Sequence, residues 1–248
     1  MTGTIAKTMA SFAHRPEVQY SGDMAETHYG RLVLLRHGQT AWSVSGQHTG
    51  RTDIPLTLTG EEQAREAGAR LRENFPDGFI PEHVFVSPLQ RAQSTARGAG
   101  FTSFHVTSQI AEWDYGPAEG RTREMMAQAL GVPSWNVWDT GPLDLPEDLQ
   151  GEHNEMLPDG TPVHVVNGPG ESAEQAAARA GSLIEAVTPV LLDGDDVLCV
   201  AHAHILRLLT AVWLGQPADF ARHLELDTAH YAVLGFHNDE HVIQAWNM

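Results

Sequence analysis

The stretch Arg31-Leu32-Val33-Leu34-Leu35-Arg36-His37-Gly38 decides how this chain folds. Four consecutive apolar residues closed off by polar ones mark a short strand buried on both faces, the kind that runs inside a parallel sheet. Arg36-His37-Gly38 then ends the strand. The same arrangement returns twice: His83-Val84-Phe85-Val86 runs into Ser87-Pro88-Leu89-Gln90-Arg91, and Val197-Leu198-Cys199-Val200-Ala201 runs into His202-Ala203-His204. Phe104 to Val106 is expected as a further strand.

Helical stretches separate these strands. Thr59-Gly60-Glu61-Glu62 reads as a capping box that opens a helix with Ala64, Ala67, Gly68 and Leu71 on one face. Ser87 is expected to cap the next helix, with Pro88 at its first position and Gln90 three residues after the cap. Ser172 and Gln175 form a second capping box ahead of Leu183, Ile184 and Val187, and His202 to Leu214 is apolar on most faces. Tyr231 to Phe236 and His241 to Trp246 read as a hairpin around Asn238-Asp239. Alternating strands and helices predict an α/β protein, a three-layer α/β/α sandwich around a mostly parallel central sheet. Residues 31–248 are expected to form one domain behind an N-terminal extension, residues 1–30. Between about 131 and 170 the chain is rich in Pro, Gly, Trp and acidic residues without a period, which predicts a lid or specificity insertion.

The 248 residues carry 15 Lys+Arg against 32 Asp+Glu, a formal charge of −17. That balance argues against a nucleic-acid partner, whose phosphates are held by basic surfaces, and against a polybasic membrane anchor. Lys7 is the only lysine; the other 14 basic residues are arginines. Cys199 stands alone, which excludes an internal disulfide framework and a multi-cysteine zinc site. No apolar run approaches the roughly 18 residues of a membrane span. His14, Arg15, Pro16 and Glu17 interrupt the N-terminal stretch, so no secretory signal is read there and a cytoplasmic protein is expected.

In open α/β sheets the ligand crevice lies outside the carboxyl ends of the strands. The three polar junctions are therefore expected to converge, bringing histidines and arginines to helix N-termini, where backbone N–H groups already favour an anion. Arginine forks match phosphate oxygens bidentately. A phosphate site is the expectation. His202-Ala203-His204 also has the form of a metal pair, but no second metal-spaced cluster accompanies it.

Arg-His-Gly after a buried strand resembles the histidine phosphatase superfamily (phosphoglycerate mutase-like). So do Leu35 to Thr40, Thr57 to Gly60, Ser87 to Ala92, Glu112 to Gly116 with Glu119-Gly120, Gly170 to Ser172, and Ala201-His202, all in the family's order. The resemblance spans about residues 31–236. It implies His37 as the nucleophile that forms a phosphohistidine, with Arg36, Arg91 and His202 clamping the phosphoryl group. Glu112 is implied as proton donor to the leaving oxygen and then as base for water. Ser43, Thr49 and Gly50 are implied to line the pocket. No metal or organic cofactor is implied, and the partner is a small-molecule phosphate monoester. A homodimer through the extension or the hairpin is the remaining partner expectation.

One departure follows the second histidine, where the family usually carries Gly and this chain has Ala203. Its methyl group is expected to tune activity, and His204 beside it is expected to line the site. Where mutases of the family carry an arginine after the glutamate, this chain has Trp113. Where they carry an arginine pair after a tryptophan, it has Asp139-Thr140 after Trp138; Arg123 sits near an expected basic position. A phosphatase is favoured. A mutase-type phosphotransferase and a weakly catalytic phospho-ligand binding protein are the alternatives.

Overall fold

The computed structural model describes residues 28–248, so most of the predicted extension lies outside the described residues. Leu32–Arg36 is strand β1, and its four apolar side chains are all buried. Side chains along a strand alternate faces, and β1 shows the consequence. Leu32 and Leu34 join a core with the long helices on one side of the sheet, while Val33 and Leu35 join a second core on the other. After β1 come a short helix α1 (Ala41–Ser45), helix α2 (Leu58–Asn74), β2 (Val84–Val86), α3 (Gln90–Gly98), β3 (His105–Val106) and α4 (Arg123–Leu130). They are followed by β4 (Glu152–Met156), β5 (Pro162–Val166), α5 (Ala173–Leu192), β6 (Val197–Ala201), α6 (Ala203–Trp213), β7 (Tyr231–His237) and β8 (Glu240–Ala245).

Six strands form one sheet in the order β3-β2-β6-β1-β7-β8. β3, β2, β6 and β1 run parallel, with Leu34 opposite Cys199 and Val86 opposite Val200. β7 lies antiparallel to β1, and β8 returns beside it as the predicted hairpin. α5 and α6 cover one face, α2 and α3 the other. The architecture is the expected three-layer, mostly parallel sandwich. No helix among the described residues is long and apolar enough to cross a membrane.

Two local expectations are corrected. Helix α2 starts earlier than the Thr59 box implied: Thr57 is the cap, and its hydroxyl accepts from the Gly60 N–H at 3.0 Å. Ser87 does not cap α3, whose cap is Leu89; the Ser87 hydroxyl turns inward to His202. The aperiodic insertion contains a two-stranded sheet, β4 with β5, which packs Val163 and Val165 with Trp42, Ile54 and Leu157 in a third small core. The Ser172–Gln175 capping box forms as expected.

Candidate active site

Because β1, β2 and β6 are parallel and in register, His37, Ser87 and His202 leave the sheet side by side at its carboxyl edge. The His37 N–H donates to the Ala201 carbonyl at 2.9 Å, and the Ser87 N–H to Val200 at 3.0 Å. The turn after His37 is pressed against the start of α2. A Cβ on Gly38 would stand 2.3 Å from the Gly60 carbonyl oxygen, and one on Gly60 would stand 2.1 Å from that of Gln39. Both positions need glycine because two backbones meet there. On the other side the Ala229 N–H donates to the His37 carbonyl at 3.0 Å. Ala229 adopts φ 57°, a left-handed conformation unfavourable for alanine, and the Arg70 guanidinium donates to its carbonyl at 2.7 Å.

His37 Nδ1 lies 2.7 Å from the Gly38 carbonyl, which can only accept, so Nδ1 carries the hydrogen and Nε2 keeps its lone pair. Burial, followed by the charges of Arg91 and Arg36, holds the imidazole well below its ordinary pKa. The ring is therefore neutral, with a free nitrogen. Its centroid stands 5.1 Å from that of His202.

His202 is neutral for the same leading cause, burial, with Arg91 next. The Arg91 Nε–H donates to His202 Nδ1 at 3.0 Å, which leaves the hydrogen on Nε2, donating to Ser87 Oγ at 2.7 Å. Arg91 is completely buried. Its remaining nitrogens donate to the carbonyls of Thr49, Gly50 and Thr52 at 2.9, 3.1 and 2.9 Å. The same loop is held from the amide side by Glu119, whose carboxylate accepts from Gly50 N–H and Thr52 N–H, both at 2.9 Å. Burial raises the Glu119 pKa, and hydrogen bonds from Thr52 and Gly50 act against it.

Glu112 sits at the start of α6. Its Oε1 accepts from the N–H groups of Trp113 and Ile205 at 2.9 Å each, and its Oε2 from that of His204 at 3.2 Å. The carboxylate thus caps a helix whose own N-cap residue, His202, offers no side-chain bond to it. Burial outweighs these donors and the Arg91 charge, and its pKa is raised. Arg36 donates from Nη1 to the Leu226 carbonyl at 2.7 Å, while its buried Nε has no protein partner.

A cleft of about 430 Å³ opens over this edge. Arg36, His37, Ser43, Thr49, Glu112, Ala203 and His204 all line it, so seven of the ten residues expected at the site share one cavity. Arg91 and His202 lie beneath it in the floor, and Gly50 faces an adjoining pocket that shares Glu112. The Ser43 hydroxyl already works in the cap of α1: it accepts from the Thr40 N–H and donates to the Thr40 carbonyl, both at 2.9 Å. His202 and His204 do not converge as a metal pair, because His202 bonds Arg91 and Ser87 while His204 Nδ1 faces the Tyr115 hydroxyl.

Sequence reasoning gave no role to Glu119, Tyr115 or His48. Glu119 and Tyr115 stand inside stretches that carried the resemblance, and a carboxylate between Ala118 and Gly120 in a buried segment was the available signal. His48 precedes Thr49-Gly50 directly; its Nδ1–H donates to the Arg121 carbonyl at 2.8 Å and it lines the cleft.

Fold and cleft together define a class: a three-layer α/β protein that sets a neutral imidazole among arginines at the carboxyl edge of its sheet. The profile of the histidine phosphatase superfamily (branch 1) matches residues 32–157 and 134–248, and the chain belongs to that superfamily. It is 36% identical to an acid phosphatase of Mycobacterium tuberculosis over 83% of this chain and 86% of the relative. It is 32% identical to a 2,3-bisphosphoglycerate-dependent phosphoglycerate mutase of Bifidobacterium longum, over 72% and 75%. A solved structure of an open-reading-frame product from Mycobacterium tuberculosis superposes with a TM-score of 0.72 at 32% identity, covering 88% of this chain and 97% of that one.

Proposed function

We propose that the protein is a metal-independent phosphomonoesterase that works through a phosphohistidine on His37. One observation carries this reading: Nδ1 of His37 is committed to the Gly38 carbonyl, leaving a neutral Nε2 in a cleft shared with Arg36 and Glu112. In the first step Nε2 attacks phosphorus, the N–P bond forms and the ester P–O bond breaks. Protonated Glu112 passes its proton to the departing oxygen, and its raised pKa keeps it available as an acid. In the second step the Glu112 carboxylate takes a proton from water as the water oxygen attacks phosphorus. The N–P bond breaks and inorganic phosphate leaves. Arg36 neutralises the equatorial oxygens directly, while Arg91 and His202 hold the floor and the Thr49–Thr52 loop in place.

The acid phosphatase relative supports hydrolysis, and the mutase relative keeps isomerisation in view. Two positions favour hydrolysis. Trp113, where the mutases carry arginine, is buried and donates from Nε1 to the Glu171 carbonyl, and Asp139, where they carry basic residues, pairs with Arg222. The reading extends to a cytoplasmic protein acting on small phosphate esters rather than nucleic acids, supported by the charge of −17. It includes a homodimer through the β7–β8 hairpin, supported by the edge position of β8 and tested by sedimentation.

The deciding experiment is p-nitrophenyl phosphate turnover with EDTA, for wild type and His37→Ala. Turnover is expected to be indifferent to EDTA and to fall at least a thousandfold in the variant, with acid-labile phosphate trapped only on wild type. Metal-dependent turnover that survives His37→Ala would sink the mechanism.

A further inference from the structure

The segment that delivers Glu112 has little regular structure of its own. β3 ends at Val106, one tight turn covers Ser108–Ile110, and Ala111 and Glu112 belong to no helix or strand. Among the described residues no backbone N–H serves the carbonyls of Ala111 and Glu112. Arg179, in the second turn of α5, serves them instead. Its Nη1 reaches the carbonyls of Ser108, Gln109 and Ala111 at 3.2, 3.0 and 2.8 Å, and its Nη2 that of Glu112 at 3.3 Å. Nε and Nη2 also grip the two oxygens of the Glu171 carboxylate as a fork, at 2.9 Å each. Glu171 is itself fixed beside the same segment. Its carbonyl accepts from Trp113 Nε1 at 2.7 Å, and its N–H donates to the Asp114 carbonyl at 3.0 Å.

A guanidinium has five N–H donors, and these acceptors occupy all of them, so Arg179 has none left for a substrate anion. Nor does it act on the acid through charge: the cation that bears on the Glu112 carboxyl is Arg91. What Arg179 supplies is geometry. The Glu112 carboxylate is tied to the first turn of α6 by the N–H groups of His204 and Ile205, its main chain is tied to α5 by Arg179, and α5 and α6 lie side by side in one core. Misplacing a reacting group by about an ångström can cost on the order of a hundredfold in rate. We infer that Arg179 is a positioning residue for the proton donor: it anchors the Glu112 main chain to α5, so that the carboxyl group held on α6 faces the departing oxygen. The inference rests on the phosphomonoesterase reading above and adds the residue that places its acid.

The test is kcat and KM for phenyl phosphate and p-nitrophenyl phosphate, two esters of similar shape of which only the first leaves as a strongly basic oxygen. Wild type is compared with Arg179→Met, Glu171→Gln, Glu112→Gln and the double variant Arg179→Met with Glu112→Gln. In Arg179→Met the kcat for phenyl phosphate is expected to fall at least about tenfold further than that for p-nitrophenyl phosphate, with both KM values nearly unchanged. Glu171→Gln loosens the fork and keeps the shape of the side chain. It is expected to show the same selectivity, by at least about threefold, and it decides the matter if Arg179→Met fails to fold. In the double variant the ratio between the esters is expected to equal that of Glu112→Gln alone, because both changes act on one proton transfer. Equal losses on the two esters overturn the inference, and so does a further selective loss on top of Glu112→Gln. Absence of wild-type turnover on both esters would remove the phosphatase reading and the positioning role together; wild-type turnover with unselective variants removes the positioning role alone.

Discussion

Glu119 and Arg91 act on one loop from opposite polar ends of its backbone. Arg91 takes the carbonyls of Thr49, Gly50 and Thr52, and Glu119 takes the amides of Gly50 and Thr52. Removing the Glu119 carboxylate leaves the buried Gly50 and Thr52 N–H groups without a partner, at a cost of about 1–3 kcal/mol each. Glu119→Ala is therefore expected to lower unfolding stability by about 2–5 kcal/mol in urea titrations, and unchanged stability would show that the loop is held by something else. Glu112 is tested differently. As a proton donor it matters most for alcohols that leave poorly. Glu112→Gln is expected to slow alkyl phosphates by roughly 10²–10⁴ while p-nitrophenyl phosphate suffers far less; equal losses would end its role as acid. The pH dependence follows from His37 and Glu112. His37 is held well below the usual 6.5, so the nucleophile stays unprotonated on the acid side of neutrality. Glu112 is raised from 4.5, so its proton persists above the ordinary carboxylate range and activity falls as pH rises past that raised value. A bell-shaped kcat/KM profile centred below neutrality is expected, with the alkaline limb missing in Glu112→Gln.

Among the elements, β1 was the most legible and the β4–β5 pair the least, for one physical reason. β1 is covered on both faces, so its whole apolar run shows in the sequence, and β6 repeats the pattern. In β5 only Val163 and Val165 turn inward, while Val166 and Met156 of its partner strand are exposed, so no clean alternation marks the pair. The catalytic edge was readable because each of its strands ends in side chains of distinctive chemistry. What stayed hidden was the choice of hydrogen-bond partners: the Thr57 cap on the Gly60 amide, Ser87 turned toward His202, and Glu119 bound to two amides. The hairpin still bears on the cleft, since Glu155 accepts from Trp42 Nε1 and from Gln47, both in the cleft wall. Val165→Ala removes two buried carbons and is expected to cost about 1.6 kcal/mol, at roughly 0.8 per carbon. An accompanying rise in KM larger than any fall in kcat would be read from steady-state kinetics, and a pure kcat effect would dissociate the hairpin from the cleft.

At the scale of the whole molecule, His37, His48, His202 and His204 are all kept neutral chiefly by burial. The unfolded chain takes up a proton at each near pH 6.5 that the folded protein refuses. Stability is therefore full above that value and is lost as pH falls below it, by up to about 1.4 kcal/mol per pH unit for each imidazole. Glu112 and Glu119, with raised values, work in the opposite sense but are fewer. The melting temperature is expected to drop between pH 7 and pH 5, and to drop less in His48→Gln, whose amide can still donate to Arg121; a flat profile in wild type would contradict the burial of neutral rings. The strand order has a different consequence, one for biosynthesis. β1, which carries the nucleophile at its end, pairs on one side with β6 and on the other with β7, and the His37 carbonyl is held by Ala229. A nascent chain that has passed Arg91, Glu112 and even His202 therefore owns every reactive side chain and still lacks the strand that finishes their frame. Until Tyr231 and the residues behind it have left the ribosome, the growing polypeptide is a phosphatase in composition only.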